Sequence, residues 1–288
     1  MSGSPGCFCL RDGTDADGCN RYNEKMLDPW LSVSGLVVGV LIGMTGVGGG
    51  ALMTPLLILV FGVRPTTAVG TDLAYATITK TFGSYQYIRR GQVNFPYVRW
   101  LVVGSVPGAL FAVFVLTPWF ISKGIDVERM TTRVLGVMLV LVGIIGILEH
   151  RFFAGKLRDS RLIRSHTVQV RYKEVILVTG GLAMGIGVGL TSVGSGSILM
   201  AILLLVSELD VLMLIGTDLV HATILLAAAG GAHLIRGHVD PFMVASLLIG
   251  SIPGIYAGTR LAQVVPTTPL RYGLAVLLAA TGFKLVTG

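Results

Sequence analysis

Gly70-Thr71-Asp72-Leu73 recurs as Gly216-Thr217-Asp218-Leu219, 146 residues later, and the offset holds without a gap for about seventy residues. Thr45-Gly46-Val47-Gly48-Gly49-Gly50 is matched by Thr191-Ser192-Val193-Gly194-Ser195-Gly196. Arg90-Gly91-Gln92-Val93 is matched by Arg236-Gly237-His238-Val239, and Gly104-Ser105-Val106-Pro107-Gly108 by Gly250-Ser251-Ile252-Pro253-Gly254. Both copies lie in apolar sequence, yet each holds an Asp and a knot of glycines where a lipid-facing helix wants neither. Duplicated hydrophobic units broken at matching positions mark a secondary transporter with its site between the repeats.

The 288 residues are 53% hydrophobic and 13% charged, with a mean hydropathy of +0.78, whereas a soluble protein is about a quarter charged. Apolar stretches run over 31–62, 66–87, 97–120, 133–148, 175–206, 212–235, 243–262 and 270–287. The stretches at 31–62 and 175–206 exceed one crossing of a bilayer core about 30 Å thick, and each has its glycine knot near the middle. Each reads as two helical pieces joined by a turn, which gives about ten helical segments. The expected fold is an all-α polytopic membrane protein of two repeats with broken helices. Residues 1–29 form a polar tail, 30–150 the first repeat, 151–174 a basic linker and 175–288 the second repeat.

The net charge of +7 is densest in that linker, at Arg151, Lys156, Arg158, Arg161, Arg164, Arg171 and Lys173. Bases beside spans mark the cytoplasmic face and not a nucleic-acid footprint, and Arg89, Arg90 and Arg99 fall on the same side. If both glycine-split stretches cross twice, each repeat makes five crossings, the second copy is inverted and both termini lie outside. The acids at Glu208 and Asp210 pull mildly the other way, but acids weigh little in orientation, so the inverted arrangement is preferred. Cys7, Cys9 and Cys19 all sit in the tail, with no His or fourth Cys to complete a zinc pattern. The tail has no long apolar run, so it reads as a disordered extension and not a signal peptide.

Glycine costs a helix about 1 kcal/mol relative to alanine, so the knots are expected to break it. Bare backbone at membrane depth is tolerated only where it lines a protein-enclosed or wet cavity. N–H groups freed at the next helix start, near Ala51-Leu52 and Ser197-Ile198, form an anion cradle. Thr45, Gly46, Gly48, Gly49 and Gly50 from the first knot, with Thr191, Ser192, Gly194, Ser195, Gly196 and Ser197 from the second, are therefore the substrate-binding candidates. Close helix packing is the competing reading; it better suits the spaced Gly39, Gly43, Gly185 and Gly189. Gly46-Val47-Gly48 is not a dinucleotide fingerprint, because no βαβ unit surrounds it.

Asp72 and Asp218 are acids within apolar stretches, which by default marks function. They are candidates to couple transport to a proton, or to Na⁺ together with Thr71 and Thr217. Alternatively, each caps a helix beginning after Gly70 or Gly216. Lys80, two turns after Asp72 and matched by Leu226, is a substrate-binding cation, a snorkelling base or a partner for Asp72. His221, three residues after Asp218, can relay protons with it or simply pack. His233, Arg236 and His238 lie towards a loop, and Pro107 and Pro253 are expected to kink their helices.

The chain resembles the sulfite exporter TauE/SafE family of membrane permeases. The likeness rests on the Gly-x-Gly-Gly-Gly knot followed by Pro55, on Ala68-Val69-Gly70-Thr71, on Arg90-Gly91-Gln92-Val93 and on their second copies, from about Leu31 onwards. It implies movement of small sulfur-containing anions such as sulfite or sulfoacetate, or of related organic acids. The expected partners are such an anion, membrane lipid and a coupling proton or Na⁺; no cofactor, resident metal or nucleic acid is expected. A cation or metal-ion transporter using the paired Asp residues is the alternative. An enzyme built on Ser195 or Ser197 with His221 is a third reading, set aside for want of a nucleophile or zinc motif.

Overall fold

The computed structural model describes residues 29–45, 50–156, 173–207, 209–261 and 267–287. The three cysteines, Gly46–Gly49, Glu208 and Arg158, Arg161, Arg164 and Arg171 of the linker lie outside them. Within them the chain is helical, with no strand among the described residues. The helices are α1 (Pro29–Thr45), α2 (Gly50–Leu59), α3 (Pro65–Arg89), α4 (Phe95–Phe111, prolonged to Ser122), α5 (Val127–Lys156), α6 (Lys173–Thr191), α7 (Ser197–Val206), α8 (Val211–Ile235), α9 (Pro241–Leu261) and α10 (Thr267–Thr287). The second long stretch divides at its glycine knot, between Thr191 and Ser197; in the first, Gly46–Gly49 lie outside the described residues, between the end of α1 and the start of α2. One turn beyond Pro107, α4 relaxes into a π-helical segment, Ala112–Leu116, the adjustment that follows when the proline ring disturbs the hydrogen-bond ladder.

Among the described residues five helices are long and apolar enough to cross a membrane: Phe95–Ser122, Val127–Ile147, Lys173–Thr191, Leu212–Ile235 and Pro241–Leu261. Their outward faces carry large apolar side chains such as Phe111, Val137, Ile249 and Ile252, which suits lipid and not water. The protein is a multi-pass membrane protein. At 25 residues, α3 equals α8 in length, but its middle carries Asp72, Lys80 and several threonines, which lower its hydropathy.

Local sequence sets the helix starts. Pro65 begins α3, its fixed φ suited to a first helical position whose N–H has no partner. Asp240 opens α9 by accepting the backbone N–H groups of Phe242 and Met243 at 3.0 and 3.1 Å, and Asn94, 146 residues earlier, caps α4 through Tyr97 N–H. Gly70-Thr71-Asp72 therefore lies inside α3, not at its start. Asp218 is likewise inside α8, so the capping role weighed as the alternative for both carboxylates is not the one they fill.

The most extensive contacts join α1 to α9, α4 to α6, α5 to α10 and α3 to α8. Glycine makes these approaches possible. A Cβ on Gly35, Gly39 or Gly43 of α1 would strike the backbone of Leu247, Ser251 or Ile255 of α9. One on Gly181, Gly185 or Gly189 of α6 would strike Leu101, Ser105 or Ala109 of α4. The packing role read for Gly39, Gly43, Gly185 and Gly189 is thus seen directly.

Contacts between α3 and α8 are reciprocal. Gly70 lies under the carbonyl of His238, and Gly216 under that of Gln92. Thr71 Oγ1 accepts from Asp240 N–H at 3.2 Å, and Thr217 Oγ1 from Asn94 N–H at 3.0 Å. The beginning of each helix thus meets the loop that follows the other, so the two run antiparallel. Gly136 and Gly282, again 146 residues apart, are each other's nearest contact. The last helices meet in that register, and not at the offset of 138 suggested by Arg133 and Arg271.

Candidate functional site

The second break, between α6 and α7, follows from its own residues. Ser192 has φ 63° and Gly194 φ 105°. Gly194 takes such a conformation freely, whereas for serine it costs about 1–2 kcal/mol. The Ser192 hydroxyl donates to Asp72 Oδ2 at 2.7 Å, and Thr54 Oγ1 of α2 donates to the same oxygen at 2.6 Å. Bonds to a charged acceptor contribute about 1.5–3 kcal/mol each, enough to offset the strain. One carboxylate on α3 thus clamps α2 to the second break.

The start of α2 joins the same point. A Cβ on Gly50, at the start of α2, would lie 2.5 Å from the Ser192 carbonyl and 3.0 Å from Asp72 Oδ2. Only a hydrogen fits there. The equivalent contact, Gly196 with Asp218, is looser, with the carboxylate 4.0 Å from a built Cβ. Asp72 Oδ1 is buried with no partner among the described residues.

Lys80 Nζ donates to Ser195 Oγ of the second break at 3.1 Å. The ammonium also interacts electrostatically with Asp218 and, more weakly, with Asp72. Lys80 thus enters the polar centre and does not snorkel towards the Arg89-Arg90 loop. His221 bonds through Nε2 to Ser105 Oγ at 2.8 Å. That nitrogen of His221 is therefore engaged by Ser105.

Other candidates are placed differently from one another. Ser197 begins α7, with Gly196 before it; the first N–H groups of that helix have no intrahelical acceptor. Thr191 is turned back, donating to the Gly187 carbonyl at 2.7 Å, so its proton does not serve a cradle. Thr71 and Thr217 hold loop backbone, as above, which makes them ties between helices. Gly46, Gly48 and Gly49 lie outside the described residues, as does the side chain of Thr45.

Residues 31–285 match the family model described as sulfite exporter TauE/SafE. The chain belongs to this family. Among curated relatives, the probable membrane transporter protein YjnA of Bacillus subtilis is 39% identical over 256 residues, covering 89% of this chain and 98% of the relative. The probable membrane transporter protein YdhB of the same organism is 25% identical, covering 87% and 96%. No solved structure matches the chain. Against this family background the sequence reading missed Thr54, Tyr75, Ser105 and Ser251. The spacing of Thr54 four residues after Gly50, one turn along the same face, was the available signal for the first.

Proposed function

We propose that this TauE/SafE-family protein is a secondary transporter of a small sulfur-containing or organic anion, such as sulfite or sulfoacetate, working by alternating access. The observation that carries the reading is the Lys80–Ser195 contact, a cation of the first repeat held on the break of the second. A base inside an apolar helix bundle is costly. Here it adds positive charge beside freed N–H groups, which is what a small anion needs. Gly50, Ser192, Gly194, Ser195, Gly196 and Ser197 supply the backbone and hydroxyl surroundings; Thr45, Gly46, Gly48 and Gly49 belong to the same cradle by the sequence reading.

Asp72 is the coupling group in this scheme. Its Oδ2 already accepts two hydroxyls, which leaves Oδ1 to carry the proton. An anion lodged nearby repels the carboxylate and favours the protonated form, so proton and anion load together. Asp218 supports the Lys80 charge. The antiparallel α3 and α8, and the meeting of Gly136 with Gly282, support an inverted repeat with units at 30–150 and 175–288, each able to rock against the other.

The cation-transporter alternative has less support: among the described residues no group of three or more His, Cys, Asp or Glu gathers, and Lys80 lies where a cation would bind. Uptake of labelled sulfite and sulfoacetate by liposomes containing the purified protein tests the proposal. Wild type is expected to concentrate at least one, and Lys80→Met to lower the rate about tenfold or more. Indifference of wild type to both anions refutes it.

A further inference from the structure

One helical turn beyond the two carboxylates, equivalent positions carry a second set of polar groups. Tyr75 follows Asp72 by three residues as His221 follows Asp218, and Ser105 and Ser251 are again 146 residues apart. In one copy the pair is closed, His221 bonding Ser105 at 2.8 Å. In the other, Tyr75 and Ser251 are fully buried and close enough for a weak contact between their hydroxyls, yet neither makes a hydrogen bond of ordinary geometry among the described residues.

A buried hydroxyl without a partner costs about 1–3 kcal/mol, and here two such groups face each other. Packing gives no reason for them, since Phe and Ala would fill the same space without that cost. The pair is held firmly: the Ser251 backbone bears on Gly39 of α1, 2.6 Å from a built Cβ, which fixes where its hydroxyl stands. Tyr75 also senses the charge of Asp72, whose Oδ1 is a third unpartnered atom in the same region.

We propose that Tyr75 and Ser251 are specificity-determining residues of the transport site, their two hydroxyls donating to one oxygen of the carried anion. The proposal rests on the carrier reading and deepens it. Two convergent O–H donors select an oxyanion, whose oxygen accepts both, over an anion with a single diffuse charge. Because the His221–Ser105 pair is already closed, only one copy offers this clamp. The site is therefore single and lies off the axis relating the repeats, on the side of Asp72.

Sulfite uptake by the full-length protein in liposomes, with KM and maximal rate measured separately, tests this for Tyr75→Phe, Ser251→Ala, the double variant and Ser251→Thr. Each hydroxyl deletion is expected to raise KM about tenfold or more. The double variant is expected to fall well short of the product of the two effects, because both donors serve one oxygen. Ser251→Thr is expected to keep KM near wild type, and thermal stability is expected not to fall in either deletion. KM within about twofold of wild type in both single deletions, or a loss confined to stability, overturns the proposal. Wild type taking up neither sulfite nor sulfoacetate removes the carrier reading itself and this inference with it.

Discussion

Ser192 and Asp72, 120 residues apart, are joined by a 2.7 Å hydrogen bond that ties the break between α6 and α7 to α3. Ser192 holds a left-handed backbone to make it. Ser192→Ala loses the bond and keeps the strain, at an expected cost of about 1.5–3 kcal/mol. Ser192→Gly loses the bond but relieves the strain and should be about 1 kcal/mol less harmful. Thermal unfolding in detergent measures both; equal losses would show that the strain has no weight.

Asp72→Asn separates coupling from binding. The amide retains an acceptor for Thr54 and Ser192 but cannot gain or lose a proton at carboxyl strength. Anion exchange without a pH gradient is expected to stay within about threefold of wild type, while proton-driven accumulation is lost. Abolition of anion binding as well would favour the cation reading.

Helix spacing gives a sharper contrast. A methyl at Gly250 would strike the Ser32 carbonyl of α1, whereas one at Gly231 or Gly273 meets nothing within 4 Å. Gly250→Ala is expected to destabilise by about 1–3 kcal/mol. Gly231→Ala and Gly273→Ala should be neutral or stabilise by about 0.4–1 kcal/mol, since both sit in helices. Unfolding midpoints of the three variants decide this.

Outside the spans, His238 gives a dependence on pH. Burial holds its imidazole below the ordinary histidine range; Glu128 opposes the shift and Arg236 adds to it. Its Nδ1 lies 3.2 Å from Nδ1 of His233, whose Nε2 donates to the Gly189 carbonyl at 2.8 Å. A neutral His233 can then only accept at Nδ1, so His238 donates. The folded state binds the His238 proton more weakly than the unfolded state does. Stability is therefore full above about pH 6.5 and declines as the medium becomes more acid. His238→Gln, copying Gln92 of the first repeat, should flatten this decline in unfolding measurements between about pH 7.5 and 5.

Much of this was legible in the residues. The second glycine knot located the break between α6 and α7, and the spaced Gly39, Gly43, Gly185 and Gly189 proved to be where helices touch. Gly70-Thr71-Asp72 was misread as a helix start because its glycine looked like a boundary; Pro65 was the better signal, since proline suits a first turn. Partners far apart in the chain were not legible. Nothing local in Ser105 says that it meets His221, and Tyr75 reads as an ordinary apolar-helix tyrosine until Ser251 is placed beside it.

Gly136 and Gly282 meet backbone to backbone, so each blocks with its own carbonyl the only room into which the other could grow. At that crossing α5 and α10 already stand backbone against backbone, so a movement that presses the two helices together there is closed to the molecule, and only sliding or separation is left.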